Sequence, residues 1–242
     1  MANFANYPSF LAEKDTFSIS SDFPNFATGT DGWTSLVVDG GTSVAVNDAV
    51  GGILTVTTGA TDNNEAMVRS TTEMFLAAAG KPMFCRVRLS WVEANTDDGN
   101  IFVGFASAAA ANLLVDDGAG VRVTGSIFGI CKFDGETVWR GYSRNGATNF
   151  TSTASGRTNN GTSGTYIELE VQVQEFSTTE CVITYYVDGV ALRDDTSFNN
   201  VISHRRLYAS MTEMNFVPMY MKAGSANSEV PLVDWALAAQ VR

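Results

Sequence analysis

The sequence has few basic residues, and this scarcity excludes several classes of function. Only 15 Lys and Arg stand against 26 Asp and Glu in 242 residues, giving a formal net charge of −11. Because nucleic-acid binding depends on clustered Lys and Arg, we expect no nucleic-acid partner. Arg205 and Arg206, beside His204, form a local basic cluster of the kind usually found on solvated surface. No apolar run approaches the ~20 residues that a helix needs to cross a bilayer, so we expect no membrane partner.

Histidine and cysteine are too scarce for most nucleophilic and metal chemistry. A Ser-His-Asp or Cys-His arrangement would have to use His204, the single histidine, and its SHRR neighbours predict a surface position between strands. Cys85, Cys131 and Cys181 are odd in number and widely spaced, which fits neither a disulfide framework nor a zinc site. We expect three buried, reduced thiols acting as small hydrophobic residues. We predict no catalytic residue and no cofactor.

Two acidic runs could supply oxygen ligands to calcium. Asp62-Asn63-Asn64-Glu65 forms one, and Asp97, Asp98 and Asn100 form the other. Neither has the ordered ligand spacing of an EF-hand. Because most Asp/Asn/Gly runs between strands are turns, we predict turns and no metal.

The abundant signal is the alternation of apolar and polar residues that is typical of β-strands. Between Met83 and Trp91 every second residue is apolar, and YIELEVQVQEF alternates in the same way. A period of two indicates a half-buried strand, because successive side chains point to opposite faces of a sheet. Strands are predicted over Thr34–Asp39, Ser43–Asn47, Gly52–Thr58, Ala66–Ser70, Met83–Glu93, Ile101–Ala106, Ser126–Asp134, Glu136–Tyr142, Thr165–Phe176, Glu180–Val187, Leu207–Asn215, Val217–Ala223 and Pro231–Val241.

Turns and domain limits follow from the same pattern. Asp-Gly pairs within FDGE and VDGV separate strand-like runs and predict hairpins, because Gly tolerates the positive φ that such turns require. Helix is scarce, with one or two turns predicted at Glu73–Ala79 and Ala106–Leu114. The chain is therefore predicted to be all-β: one sandwich of two antiparallel sheets over residues 31–242, preceded by an N-terminal arm and lead-in over residues 1–30.

The arm is rich in aromatic residues without sustained periodicity. Phe4, Tyr7 and Phe10 stand among prolines and polar residues. They either pack on the core of their own domain or anchor on a neighbouring subunit, where a few aromatic side chains can dominate the binding energy. The start MANFANYPSFLAEKD has no basic stretch followed by an apolar one, which predicts synthesis in the cytoplasm.

A polar stretch over residues 145–164 follows two further aromatic residues. It is rich in Gly, Ser, Thr and Asn and is interpreted as a mobile hairpin tip or a contact surface. Trp139 and Tyr142, beside this loop and Asn149, could form an exposed platform for a glycan or for another subunit. The alternative is that both rings complete the core, as predicted for Trp33, Trp91 and Trp235.

The order of these segments resembles a known family. DGWTSLVVDGGTSVAVNDAVGGILTVTTGATDNNEAMVRS is similar to the opening of concanavalin-like or laminin-G-like sandwiches, and GKPMFCRVRLSWVEANTDDGNIFVGFASA is similar to their central strands. TYIELEVQVQEFSTTECVITYYVDGVAL resembles a later strand pair, and VPLVDWALAAQVR the closing strand. The resemblance covers roughly residues 30 to 242 and implies a concanavalin-like jelly roll.

Within that fold, the chain also resembles head decoration or cement proteins of tailed bacteriophages. The acidic balance, the small-residue-rich loops and the aromatic arm carry this likeness. It implies a structural protein on the capsid exterior of a virion, bound to the major capsid protein and assembled as a homo-oligomer such as a trimer. It implies no enzyme activity, and contacts are expected through Phe4, Tyr7 and Phe10.

Two alternatives stay open. One is a carbohydrate-binding module of a phage tail fibre or adhesin, with Trp139, Tyr142 and Asn149 as candidate contacts. The other is a glucanase, whose family carries closely spaced catalytic acids on one strand. Glu168 and Glu170 project to the same side of their strand, but ELEVQVQE lacks the family's arrangement. We therefore rank the glucanase last.

Overall fold

The protein is described by a computed structural model that covers most of the chain. The residues described are 16–38, 42–48, 51–94, 98–115, 125–146, 149–158, 165–197, 199–224 and 227–242. Phe4, Tyr7 and Phe10 of the arm lie outside them, as do Asp97 and parts of the polar stretch 145–164.

The described residues form strands and no helix. The strands are β1 (Thr16–Ser21), β2 (Trp33–Val38), β3 (Ser43–Asp48), β4 (Ile53–Thr57), β5 (Glu65–Ser70), β6 (Met83–Ser90), β7 (Asn100–Ala106), β8 (Ile127–Lys132), β9 (Val138–Asn145), β10 (Asn149–Thr158), β11 (Ile167–Ser177), β12 (Glu180–Val187), β13 (Val190–Ala191), β14 (Ser203–Leu207), β15 (Asn215–Lys222) and β16 (Leu232–Val241). Within the described ranges there is also no helix long and apolar enough to span a membrane.

Two antiparallel sheets pack face to face, which confirms the predicted β-sandwich. Sheet A has the order β13-β12-β11-β6-β16-β4-β3, with β1 also paired to β16 and β14 to β12. Sheet B has the order β10-β9-β8-β7-β15-β5-β2. The first and last strands pair along their length, from Thr16 opposite Val241 to Ser21 opposite Ala236.

The core between the sheets is built by strict alternation. In β12 the side chains of Cys181, Ile183, Tyr185 and Val187 are buried while their neighbours are half-buried. Full burial of one large apolar side chain contributes about 1.5–3 kcal/mol relative to exposure, so rows of this kind hold the sheets together. The alternation predicted for β6 and β11 is confirmed.

The VDGV turn between β12 and β13 has the predicted geometry. Asp188 and Gly189 have φ of 52° and 74°, as the two central residues of a type I′ hairpin turn require. The Asp188 carboxylate also accepts a hydrogen bond from the Glu168 amide, 2.9 Å away, and pairs with Arg157. Asp188 thereby joins the turn to the strand beside it.

Three strands of sheet B are buried on both faces, because a second apolar layer covers the outside of the sheet. All residues of β7, β8 and β15 are buried. The covering segment is residues 107–115, here called the strap. It contributes Ala109, Leu113 and Leu114 to a cluster outside the sheet that includes Phe102 and Tyr220.

The structure differs from the sequence prediction at several elements. No helix forms at Glu73–Ala79 or Ala106–Leu114, and the second of these is largely the strap. A strand runs over Ser203–Leu207, whereas most of the strand predicted over Leu207–Asn215 is irregular. Burial alternates in the polar segment SHRRL: His204 points inward, and its neighbours Ser203 and Arg205 point outward.

Candidate functional site

An exposed aromatic ring on β10 marks the edge of sheet B. Phe150 is 59% exposed, and its ring lies 6.4 Å from that of Tyr142, with only 16° between their planes. Phe150 pairs with Arg144 and Ser152 with Tyr142, so these side chains share the outer face of the sheet. Within its described residues, the polar stretch predicted as a loop is therefore largely the edge strand β10.

The expectation that Trp139 and Tyr142 are both exposed is wrong. They are 1% and 3% exposed. They are three positions apart, so they point to opposite faces of β9. Trp139 points into the core, where its ring lies 6.3 Å from that of Trp91, and Tyr142 lies beneath Phe150. Asn149, the first residue of β10, pairs with Asn145.

Polar groups stand beside the exposed ring on the same face. Arg140 donates from Nε to Glu136 Oε2 at 3.0 Å and from its guanidinium to Ser152 Oγ at 3.2 Å. Burial lowers the pKa of Arg140, but the hydrogen bond and charge of Glu136 outweigh it and raise that pKa. Phe150, Tyr142, Arg140, Glu136 and Ser152 together are called the platform.

Arg144 holds the base of the platform in place. Its Nε donates to the Gly146 carbonyl at 2.8 Å, and its guanidinium lies 5.6 Å from the centre of the Phe150 ring. Burial raises the pKa of Tyr142 despite the charge of Arg144, so the phenol stays protonated. The stacked rings of Phe150 and Tyr142 are therefore held in place by Arg144.

The strap closes the centre of this face. The backbone N–H of Asn112 donates to both carboxylate oxygens of Glu65, at 2.9 and 2.8 Å. The side-chain oxygen of Asn112 accepts a hydrogen bond from Lys222 Nζ at 2.9 Å. Tyr220 also donates to Glu65, at 2.6 Å. The polar groups beneath the strap are thus occupied within the chain, whereas Phe150 at the β9–β10 edge is exposed.

The described parts of the two acidic runs form turns that lead into β5 and β7, and Glu65 and Asn100 are the first residues of those strands. Glu65 of the first run is buried and bound by the strap. Asn100 of the second accepts a hydrogen bond from the Asp134 amide at 2.8 Å. Across the described ranges, no group of three or more His, Cys, Asp or Glu side chains is arranged to hold a metal ion.

The prediction that His204 lies on the surface is wrong. It is buried between the sheets, where Nδ1 lies 2.9 Å from both Ser143 Oγ and Tyr185 Oη, and Nε2 lies 3.0 Å from Thr153 Oγ1. Burial, reinforced by the charge of Arg206, lowers the pKa of His204 to about 3. Ser143 is equally buried, so this Ser–His pair has no access to substrate and is structural.

The cysteines match their prediction. Cys85, Cys131 and Cys181 are all buried and free. Burial raises the pKa of each thiol, in Cys181 to about 11. A buried neutral thiol is a poor nucleophile, which fits a packing role.

The two glutamates considered for hydrolysis lie on the outer face of sheet A. Glu170 is buried in an ion pair with Arg86 and also accepts from Gln172. Glu168 is half-buried and lies opposite Arg88. Because Glu170 is already bound by two neighbours, the pair does not present two open carboxylates to a substrate.

Comparison with known proteins identifies the fold. Neither a protein-family model nor a curated protein matches the sequence. Among solved structures, endo-1,3-beta-glucanase from Streptomyces sioyaensis matches with a TM-score of 0.59 and 12% identity over 98% of this chain and 99% of that one. Arcelin-5, a lectin-like defence protein from Phaseolus vulgaris, matches with a TM-score of 0.55 and 9% identity over 94% and 100%.

A carbohydrate recognition domain is also among the matches. That of Emp46p has a TM-score of 0.57 and 9% identity over 92% of this chain and 95% of that one. None of the structures named here links the chain to virion proteins. Identities this low show the fold alone, and the chain has the concanavalin-like β-sandwich fold of these lectin-like proteins and of the glucanase.

Proposed function

We propose that this protein binds carbohydrate through the platform at the β9–β10 edge. The observation that carries the proposal is Phe150, a large apolar ring left 59% exposed and fixed against Tyr142. A sugar ring has an apolar C–H face, which can cover such an aromatic ring. It also has hydroxyl edges that both donate and accept hydrogen bonds.

The polar part of the platform suits those hydroxyls. Arg140 offers N–H donors, Glu136 offers carboxylate acceptors and the Ser152 hydroxyl can serve as either. Binding sites for small ligands combine apolar and aromatic surface with a few fixed polar groups in this way. The guanidinium–carboxylate pair is already formed, so little side-chain freedom is lost when a ligand binds.

The comparisons support this class of ligand without showing it. Structural neighbours include carbohydrate recognition domains, legume lectins and one glucanase. A shared fold hosts many functions, so the proposal depends on the site rather than on the neighbours. We propose binding without hydrolysis, since Glu168 and Glu170 do not form an open acid pair.

The test is retention on immobilised sugars. A panel of galactose, α-L-fucosides and β-1,3-glucan covers the sugars named for the neighbours. Phe150→Ala should lose about 2 kcal/mol of binding free energy, a roughly 30-fold weaker affinity. Phe150→Tyr should retain binding, and Phe176→Ala is the matched control because Phe176 is also exposed (48%) but lies on sheet A. Equal retention of Phe150→Ala and wild type would exclude the platform.

A capsid decoration role stays a second proposal, with a different surface in its favour. Phe176, Leu207, Val190 and Val201 are exposed apolar residues in and around β11–β14, and Arg205 lies 3.5 Å over the Phe176 ring. Exposed apolar groups of this kind fit a protein partner. Co-sedimentation with undecorated capsids, with and without residues 2–12, tests both the major capsid protein as partner and the arm. Binding retained by the truncated protein would remove the arm from the proposal.

A further inference from the structure

A second aromatic and charged cluster lies on the outer face of sheet A. Arg88 of β6 pairs with Glu168 of β11 on one side and with Trp235 of β16 on the other, and Tyr166, which directly precedes β11, lies beside it. A β-bulge between Val233 and Trp235 brings Asp234 to the same place. Bulges of this kind re-aim a side chain and are common beside binding sites.

The cluster is held by direct contacts. The Arg88 guanidinium lies 4.4 Å from the centre of the Tyr166 ring and forms an ion pair with Asp234. The side chains of Arg88 and Asp234 nevertheless remain 39% and 21% exposed. Tyr166 and Trp235 are half-buried, so each leaves part of its ring accessible. The arrangement is therefore fixed but open to solvent.

The neighbouring row closes the cluster on one side. Arg86 pairs with Glu170, and Gln172 donates to the same carboxylate. The Glu170 side chain is only 5% exposed, so this row supports the cluster without taking part in it.

The charges of the cluster select the class of ligand. One guanidinium stands between two carboxylates, Asp234 beside it and Glu168 opposite it, in a protein of net charge −11. This balance repels acidic ligands. Arg88 supplies hydrogen-bond donors, and Asp234 beside it supplies acceptors. Two neighbouring hydroxyls of a neutral sugar could bind these groups, with the rings of Tyr166 and Trp235 on either side.

We infer that this cluster is a second carbohydrate site, which binds neutral saccharides. One chain then binds two saccharides at the same time, one at the platform and one at this cluster. The outer faces of the two sheets point in opposite directions, so one short oligosaccharide cannot occupy both. A single chain would then cross-link glycans, and binding to a multivalent surface would be strengthened by avidity. The second site stands on its own contacts, whereas the cross-linking rests on the proposed function at the platform.

Tryptophan fluorescence offers a direct probe of the second site. The other three tryptophans, Trp33, Trp91 and Trp139, are almost fully buried, so acrylamide quenching reports mainly on Trp235. A β-1,3-gluco-oligosaccharide, methyl α-L-fucoside and galactose should be titrated against wild type, Arg88→Gln, Asp234→Asn and Phe150→Ala. Calorimetric stoichiometry is measured in parallel. Arg88 and Asp234 are surface residues, so their variants should fold even where Trp235→Ala does not.

The expected result is two equivalents of sugar per wild-type chain, with Trp235 protected from the quencher. Arg88→Gln and Asp234→Asn should each lose one equivalent and the protection, and Phe150→Ala should lose the other equivalent and keep the protection. One equivalent that depends on Phe150, with Trp235 unprotected, would overturn the second site and leave the platform standing. If Trp235 is protected and Phe150→Ala binds as many equivalents of sugar as wild type, the platform would be overturned and the second site would stand. Absence of binding to all three sugars would overturn both.

Discussion

The outer faces of the two sheets differ, although their inner faces are built alike. Both inner faces carry large apolar residues at alternate positions, as in β12 and β7. Outside, sheet B is covered over its central strands by the strap, whereas sheet A carries the partly exposed Arg88–Asp234 ion pair and half-buried aromatic rings beside it. The comparison shows that this fold can leave a face open or fill it with its own chain.

Mutations in the strap should destabilise the protein more than mutations on the open face of sheet A. Leu114 is fully buried outside sheet B, so Leu114→Ala should lower the free energy of unfolding by about 2–5 kcal/mol. Leu207→Ala, on the half-exposed edge of sheet A, should change it by about 0.5 kcal/mol or less. Urea unfolding measures both. Similar small losses would mean that the strap is not a packed layer.

The interior histidine predicts a pH dependence that neither outer face shares. The pKa of His204 falls from 6.5 to about 3 because the ring is buried, so the unfolded chain takes up a proton at higher pH than the native protein. The stability that the neutral ring contributes is complete above pH 6.5 and is lost as the pH falls toward 3. His204→Gln should therefore show a shallower loss of melting temperature across this window. Carboxylates titrate in both proteins, so identical slopes would argue against a buried neutral ring.

Added side-chain volume should distinguish the filled outer face of sheet B from the open outer face of sheet A. A Cβ on Gly129, outside sheet B, would lie 2.3 Å from a Phe102 ring atom and 2.7 Å from the Val103 carbonyl oxygen. Gly129→Ala should cost about 1–3 kcal/mol by overpacking. Thr184→Ile, on the outer face of sheet A, should change stability by about 0.5 kcal/mol or less. A harmless Gly129→Ala in thermal unfolding would contradict close packing under the strap.

The smallest effect is expected at the exposed ion pair. Arg88→Gln should change the free energy of unfolding by less than about 1 kcal/mol, because exposed pairs contribute little. Arg86→Gln should cost more, since it leaves Glu170 buried without its cation. A larger loss for Arg88→Gln than for Arg86→Gln in denaturant unfolding would assign Arg88 a structural role instead of a binding one.

Much of the sandwich is predictable from the sequence because alternation reports burial on one face. It works for β6, β11 and β12, each of which has one core face and one more polar face. It fails for β10 and β14, whose inward positions include Ser, Thr and His. Those polar residues are buried because they hydrogen-bond one another, a condition that no single strand's pattern reveals.

The candidate sites are less predictable, for two different reasons. The spacing of Trp139 and Tyr142 already excludes a shared face of one strand, so their separation could have been foreseen. The exposure of Phe150 could not have been foreseen, because it depends on how segments distant in sequence pack over the outer face of sheet B. The alanine-rich sequence of the strap also predicts a helix. Ala108 and Asn112 instead have φ of 45° and 57°, which a right-handed helix does not allow.

We propose that sugar binds at the β9–β10 edge, beyond the central strands that the strap covers. Amide chemical shifts of labelled protein, titrated with whichever sugar of the panel is retained, test it most directly. The account predicts that, on sheet B, the largest changes fall at Phe150, Ser152 and Arg140, with little change at Phe102 and Tyr220 beneath the strap. Changes beneath the strap with none at Phe150 would contradict it.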